Sequence, residues 1–249
     1  MLITRWTTAG LFVVAVPLFL LLTNVRIAAT WSPVYDYALT QYHGPQRTGI
    51  ARPELNRVAD ELIAYFQSTE DGLLIATRVE KDGQQIAFYN QREVLHLSDV
   101  RDLFQVVFRI QEASFAYIVV YIVAVVLWSR ERSMRRLARQ GIAAGLLGFG
   151  VLTVAAIGLL IDFETLFTRF HLISFANDFW KLSPSRDRLI QIFPERFWFD
   201  VSLTVGVVTL LQGAVLASVG AGYLAWLDRA KRLRYRRGRE AAGAPSTGA

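Results

Sequence analysis

The chain is predicted to be an α-helical integral membrane protein, with four transmembrane helices and a small extracytoplasmic α+β cap. Three observations lead there. Of the 249 residues, 53% are apolar and only 19% charged, against about a quarter charged in an average soluble domain. The apolar residues gather into four runs, roughly 7–24, 104–128, 141–161 and 198–226. Each run is close to or longer than the about 20 residues that span a bilayer. The basic residues are equally uneven. Residues 129–140 hold Arg130, Arg132, Arg135, Arg136 and Arg139 against Glu131, and residues 227–240 hold seven Lys or Arg against Asp228 and Glu240. With Arg5 these segments total +10, and the remainder totals −4. Short basic segments stay in the cytoplasm. Both termini and the 129–140 loop are therefore expected inside, with 25–112 and 162–197 outside. The net charge of +6 is explained by this asymmetry, so nucleic acid is not expected as a partner.

The first span, within residues 1–24, follows Arg5 and contains Pro17, which membrane helices tolerate when neighbours satisfy the freed carbonyl. A cleaved signal peptide ending near Ala28-Ala29 is the rival reading. The uncleaved helix is preferred because it gives both termini a cytoplasmic position with four crossings.

Residues 25–103 form the expected cap. Trp31, Tyr35, Tyr37 and Tyr42 suit an interfacial start, and Tyr42 to Pro45, with His43, reads as a loop. Pro53 at a first turn and an apolar face of Leu55, Val58, Leu62, Ile63 and Phe66 predict a helix over 53–67. Strands are expected at Leu73–Val79 and Gln85–Tyr89, joined by Lys81-Asp82-Gly83 with glycine at a positive φ. Ser98 or Asp99 is expected to cap a helix running into the second span, leaving His96 just before its start.

Residues 104–161 contain the second and third spans around the basic loop. Gly141, Gly145, Gly148, Gly150 and Gly158 in the third, and Gly206, Gly213 and Gly220 in the fourth (198–226), read as close-packing surfaces. Gln212 is expected to bond across helices. Residues 227–249 form a basic tail.

The outer loop 162–197 is the least ordinary stretch. It mixes aromatics with His171, Asn177, Asp178, Asp187 and Glu195. Aromatics anchor a chain at a membrane boundary, but a histidine, an amide and several acids are not needed for that. If Phe163–Trp180 is helical, Glu164, His171 and Asp178 recur every seven residues on one face. Ser183-Pro184 is expected to open a further short helix, ended by Pro194.

Histidine is the side chain best suited to proton transfer near neutral pH. His96 and His171 each border a span on the same side, so they are the candidate acid and base; His43 is read as structural. There is no cysteine, which removes thiolate nucleophiles, cysteine zinc sites, disulfides and cysteine lipidation. No Gly-x-Ser-x-Gly, His-Glu-x-x-His or phosphate loop occurs. Ser98, Ser174 and Ser183 lack an obvious triad. No metal spacing supports a zinc site from His96, His171 and a carboxylate.

The loop Phe170-His171, Phe175, Asn177-Asp178, Trp180, Leu182, Pro184, Asp187, Leu189-Ile190 and Phe193-Pro194-Glu195-x-Phe197, with Arg92-Glu93, His96 and Asp99-Val100, resembles the signature of the bacterial lipoprotein intramolecular transacylases. The resemblance implies a four-span enzyme of the bacterial cytoplasmic membrane whose active site faces outward. It implies a diacylglyceryl lipoprotein as substrate, with membrane lipid around it and no cofactor or metal. The reaction moves the sn-2 acyl chain to the α-amino group of the N-terminal cysteine, leaving a lyso-form lipoprotein. Attack closes a ring of roughly eight atoms, an entropy problem that a rigid cleft solves. His171 is then expected as general base, and His96 as the group acting on the departing oxygen or the carbonyl, or the two roles are exchanged. Asn177 and Asp178 orient the substrate or a histidine, and Asp99 orients His96. Asp187, Pro194 and Glu195 are read as structural. The alternative is a non-enzymatic membrane protein whose outer domain binds or senses a partner. In that case His96 and His171 are expected to lie far apart or to be sealed from lipid.

Overall fold

Four helices of the computed structural model are long and apolar enough to cross a bilayer: α1 (Leu2–Thr30), α5 (Gln91–Ser129), α6 (Ser133–Ile161) and α9 (Glu195–Gly243). The structure describes residues 2–68, 77–129 and 133–243. α1 packs against α5, α6 and α9, and α6 runs along α9. The outward faces of the bundle are apolar, with Leu146, Val154, Leu211 and Val215 all exposed. In water such a surface would drive association; in lipid it is the solvated side.

Association inside a bilayer relies on close packing, and the glycines supply it. A Cβ on Gly145 would sit 2.6 Å from the Gly213 carbonyl oxygen, and one on Gly220 would sit 2.8 Å from the Ala138 oxygen. Gly148 receives Pro17 of α1, at 2.9 Å from such a Cβ. Gly150 and Gly206 meet nothing within 4 Å, so the expected packing stripes leave both of them out. Gln212 does bond across helices. Asn24 Nδ2 of α1 donates to Gln212 Oε1 at 2.8 Å and to Thr209 Oγ1 at 2.9 Å. At the opposite end from the cap, Arg135 and Asp228 pair at 3.1 Å and tie the two basic segments together.

The cap consists of α2 (Ser32–Gln41), α3 (Gly44–Thr48), α4 (Arg52–Gln67), the hairpin β1 (Arg78–Lys81) and β2 (Gln84–Ala87), and α8 (Arg188–Ile192). α4 has Pro53 in its first turn and buries Leu55, Val58, Leu62 and Phe66, as the periodicity predicts. β1 pairs antiparallel with β2, Val79 opposite Ile86. The two-residue turn places Asp82 at φ 52° and Gly83 at φ 77°, the positive-φ pair that a tight hairpin of this hand requires. β1 runs two residues past its expected end at Val79, residues 73–76 of the expected first strand lie outside the described residues, and β2 ends at Ala87 rather than Tyr89. The core is not closed by residues 25–103 alone. Leu189, Ile192, Phe193 and Phe197, from α8 and the start of α9, pack into it beside Leu39, Leu55, Val58 and Phe88. The tyrosines serve this docking: Tyr37 and Tyr42 both donate to Asp200 at the start of α9.

Three expected boundaries change. α5 is not opened by Ser98 or Asp99; it begins at Gln91. Asn90 Oδ1 accepts from the Glu93 backbone N–H at 3.0 Å, and Glu93 Oε2 accepts from the Asn90 N–H at 2.8 Å, a reciprocal capping box. Asn90→Ala is expected to cost about 1 kcal/mol, read as a lower thermal midpoint in detergent; an unaltered midpoint would mean the cap carries no stability. The expected 163–180 helix stops early, as α7 (Phe163–Ser174). Phe175 is extended, and Asn177 Oδ1 accepts from the Phe179 N–H at 3.0 Å, a local turn that competes with helix. Asp178 therefore lies beyond the helix and shares no helical face with Glu164 and His171. Finally, Ser183-Pro184 makes a turn, its Ser183 carbonyl accepting from Arg186 and Asp187 N–H groups, and α8 starts only after Asp187.

Candidate functional site

Because α5 starts early, His96 sits in its second turn rather than ahead of it, fixed on a helix. His171 lies in the last turn of α7, on the face that also carries Phe163 and Phe167. The fold brings the two rings together, their centroids 6.0 Å apart. The two histidines singled out from the sequence thus lie side by side.

His171 Nδ1 lies 2.7 Å from the Phe167 carbonyl oxygen. A carbonyl only accepts, so Nδ1 carries the proton and Nε2 keeps a lone pair. Burial pushes the His171 imidazole below the usual histidine value, partly opposed by that hydrogen bond. It is thus a neutral ring with a basic nitrogen at neutral pH. In the unfolded chain it titrates near the ordinary value of about 6.5. Below that pH, down to the lower folded value, the unfolded chain binds the extra proton, so stability falls as pH falls. The thermal midpoint in detergent is expected to drop as pH is lowered below about 6.5, and to drop less in His171→Gln. Equal slopes for the two proteins would remove His171 as the cause.

Aromatic rings enclose the pair. Trp180 stacks on His171 with centroids 4.9 Å apart, and Phe167 lies at 4.3 Å. Phe175 is 5.4 Å from His96 and 5.6 Å from His171. Both histidines are only 7% exposed. Two polar atoms here are buried with no hydrogen-bond partner, His96 Nδ1 and Trp180 Nε1. Each such atom is costly unless something satisfies it at some stage of function. If one imidazole gained a proton, the nearby second ring would resist doing so. The arrangement suits movement of one proton at a time, in apolar surroundings.

The loop over the rings is tied down from α5. Arg92 Nη2 donates to the Asp178 carbonyl at 2.5 Å, with its Nε at 3.4 Å from that of Phe179. Buried Glu93 accepts from the Leu189 N–H at 2.7 Å. Buried Asp187 accepts from Asn90 Nδ2 at 2.7 Å and from the Ser183 N–H at 2.6 Å. Asp99 does not orient His96. Its carboxylate accepts from Asn177 Nδ2 at 2.9 Å, since one helical turn carries it toward the loop instead. The Asp178 carboxylate is exposed and pairs with Lys181 at 2.8 Å; only its carbonyl faces the site. His43 stands at the N-terminus of α3 with φ 54°. Trp180 as a ring partner and Arg92 as a loop anchor were not singled out from sequence. The Asn90-x-x-Glu93 spacing was the signal that would have placed His96 correctly. Among the described residues, no three metal-ligating side chains converge.

A model of the family described as lipoprotein intramolecular transacylase Lit matches residues 10–198. An uncharacterised protein of Aquifex aeolicus (strain VF5) is 28% identical over 132 residues, which are 53% of this chain and 56% of that protein. The chain thus spans about half the length of the curated relative it matches. An in meso structure of the membrane integral lipoprotein intramolecular transacylase Lit from Bacillus cereus is similar with a TM-score of 0.73 at 17% identity, covering 94% of this chain and all of that one. A histidine-to-arginine variant of that protein is similar at 0.71 and 17%, over 92% and 95% of the two chains. At such identity the structural likeness speaks for the fold. The family match spans most of the chain and includes both histidines, so the chain belongs to the lipoprotein intramolecular transacylase family, a family of multi-pass membrane enzymes.

Proposed function

We propose that this protein moves the sn-2 acyl chain of a diacylglyceryl lipoprotein onto the α-amino group of the lipoprotein's N-terminal cysteine. The reading is carried by the proximity of His96 and His171, centroids 6.0 Å apart, inside a member of this family. The meeting of two imidazoles from separate helices speaks against the non-enzymatic alternative; their burial is an arrangement that alternative also allows, so this reading requires the aromatic cover to move. Both termini are placed in the cytoplasm and the histidine pair at the outer rim of the bacterial membrane, on the strength of the basic segments alone.

In this mechanism the α-amino nitrogen attacks the sn-2 ester carbonyl. His171 Nε2 takes the proton released as the C–N bond forms. The ester C–O bond then breaks, and the same proton ends on the departing glyceryl oxygen, which hydrogen-bonds to His96 as it leaves. Charge and atoms balance without water. The Asp99–Asn177 pair orients substrate and loop, and Asp178 contributes its backbone there. Substrate reaches the rings only when the Phe175–Trp180 cover shifts, because both histidines are buried under it.

The product is an isomer of the substrate, so total mass does not change. The test reconstitutes the purified protein in vesicles with a diacylglyceryl lipoprotein, then fragments the N-terminal peptide. Acyl amide on the cysteine fragment, with loss of reactivity toward an amine reagent, is expected. A persistent free amine would overturn the assignment.

A further inference from the structure

We infer that α7 is a fifth membrane-contacting element, an interfacial helix whose Leu166–Phe170–Ile173 stripe is buried in the outer acyl region of the bilayer. It is not one of the four spans. Its 12 residues reach about 18 Å, too short to cross. Its sequence nonetheless presents an apolar side that the protein leaves uncovered. Leu166, Phe170 and Ile173 follow the i, i+4, i+7 spacing of one helix face, and all three are exposed, Ile173 at 86%. Leu172, also exposed, widens the patch. The inward face is separate, carrying Phe163, Phe167 and His171.

Lipid is the occupant that the surroundings favour. Only Asp162 separates α6 from α7, so α7 starts where a membrane span ends. Leu166 folds back onto that span, 3.4 Å from where a Cβ on Gly158 would be. Phe163 packs edge-on against Phe199 of α9 at 5.4 Å. Exposed Ile157, Leu160 and Ile161 at the end of α6 make the stripe of α7 continuous with the lipid-facing belt. Glu164 is exposed on the opposite side of the helix, and exposed Arg169 flanks the stripe between Ile173 and Leu172, where a long charged side chain reaches the headgroups. An interfacial helix buries its apolar side about 5–10 Å into the headgroup–acyl boundary. That is the depth of the ester carbonyls of a diacylglyceryl group. On the acyl-transfer reading, α7 thereby holds the His171 base level with the bond it acts on. The depth itself does not rest on that reading.

The chain has no cysteine, so a single introduced cysteine labels uniquely. Nitroxide at Ile173→Cys and, separately, at Phe170→Cys is measured in vesicles for collision with oxygen and with a water-soluble nickel chelate. Val154→Cys on the lipid face of α6 and Lys181→Cys on the loop are the references. These side chains are exposed, so folding is retained, and catalytic activity is not needed for the readout. The expected result is loss of nickel accessibility at 173 and 170 to the level of 154, with oxygen accessibility kept. Nickel accessibility matching 181 would overturn the inference. So would loss of both accessibilities, which would mean that a second copy or another protein covers the stripe.

Discussion

His171→Ala is expected to slow the acyl shift by about 10²–10⁴-fold, the usual contribution of a positioned general base. Without it, the proton from the attacking amine loses the acceptor positioned for it among Phe167, Phe175 and Trp180, and His96 remains as the one other imidazole there. Alanine also leaves a gap among those rings, so His171→Gln is the companion variant. Glutamine keeps a donor for the Phe167 carbonyl and fills the space, but it has no basic nitrogen. Both variants should show the same loss while His171→Gln retains its helicity and detergent melting. His96→Ala should be slower too. Residues that act as one unit are not additive, so the double variant should fall little below the slower single one. The appearance of the cysteine amide over time measures all of these. Unimpaired turnover by His171→Gln in a folded protein would discard His171 as the base.

Gly145→Leu is expected to prevent assembly of the membrane bundle, with Gly145→Ala already lowering its thermal midpoint. The reason is backbone against backbone: a Cβ there would lie 2.6 Å from the Gly213 oxygen and 3.0 Å from Ala217 Cβ. Neither neighbour is the flexible end of a side chain, so α6 and α9 would have to move apart. Overpacking a tight site typically costs about 1–3 kcal/mol, occasionally more, and the displaced helices also lose their contacts with each other. Gly150→Ala is the control. Nothing lies within 4 Å of a Cβ there, and alanine is favoured over glycine in a helix by about 1 kcal/mol. Its midpoint should hold or rise. If Gly145→Ala melted like Gly150→Ala in detergent, the α6–α9 seam would not be where the bundle is held.

Local pattern was sufficient for the spans. Twenty apolar residues in a row leave the backbone only one way to satisfy itself in lipid, so α1, α5, α6 and α9 were readable from composition. The hairpin at Asp82-Gly83 and the amphipathic α4 were readable for the same kind of reason: each depends on neighbours within a turn or two. Boundaries set by competing local signals were harder. Ser98 and Asp99 looked like caps, but Asn90, eight residues before Ser98, closes a reciprocal pair with Glu93 and carries the helix past them. The helical spacing of Glu164, His171 and Asp178 gave way at Asn177, whose side chain turns the backbone instead.

The sequence by itself determined a four-helix membrane chain with two candidate histidines and a motif loop between spans, because hydrophobic length and charge placement act locally. Only the tertiary structure decided that His96 and His171 share one aromatic pocket, that Asp99 serves Asn177 rather than His96, and that the motif segment completes the core of the cap. Those are contacts between distant parts of the chain. They depend on helix phase and on the meeting of α5 with α7, and no window of sequence contains both partners.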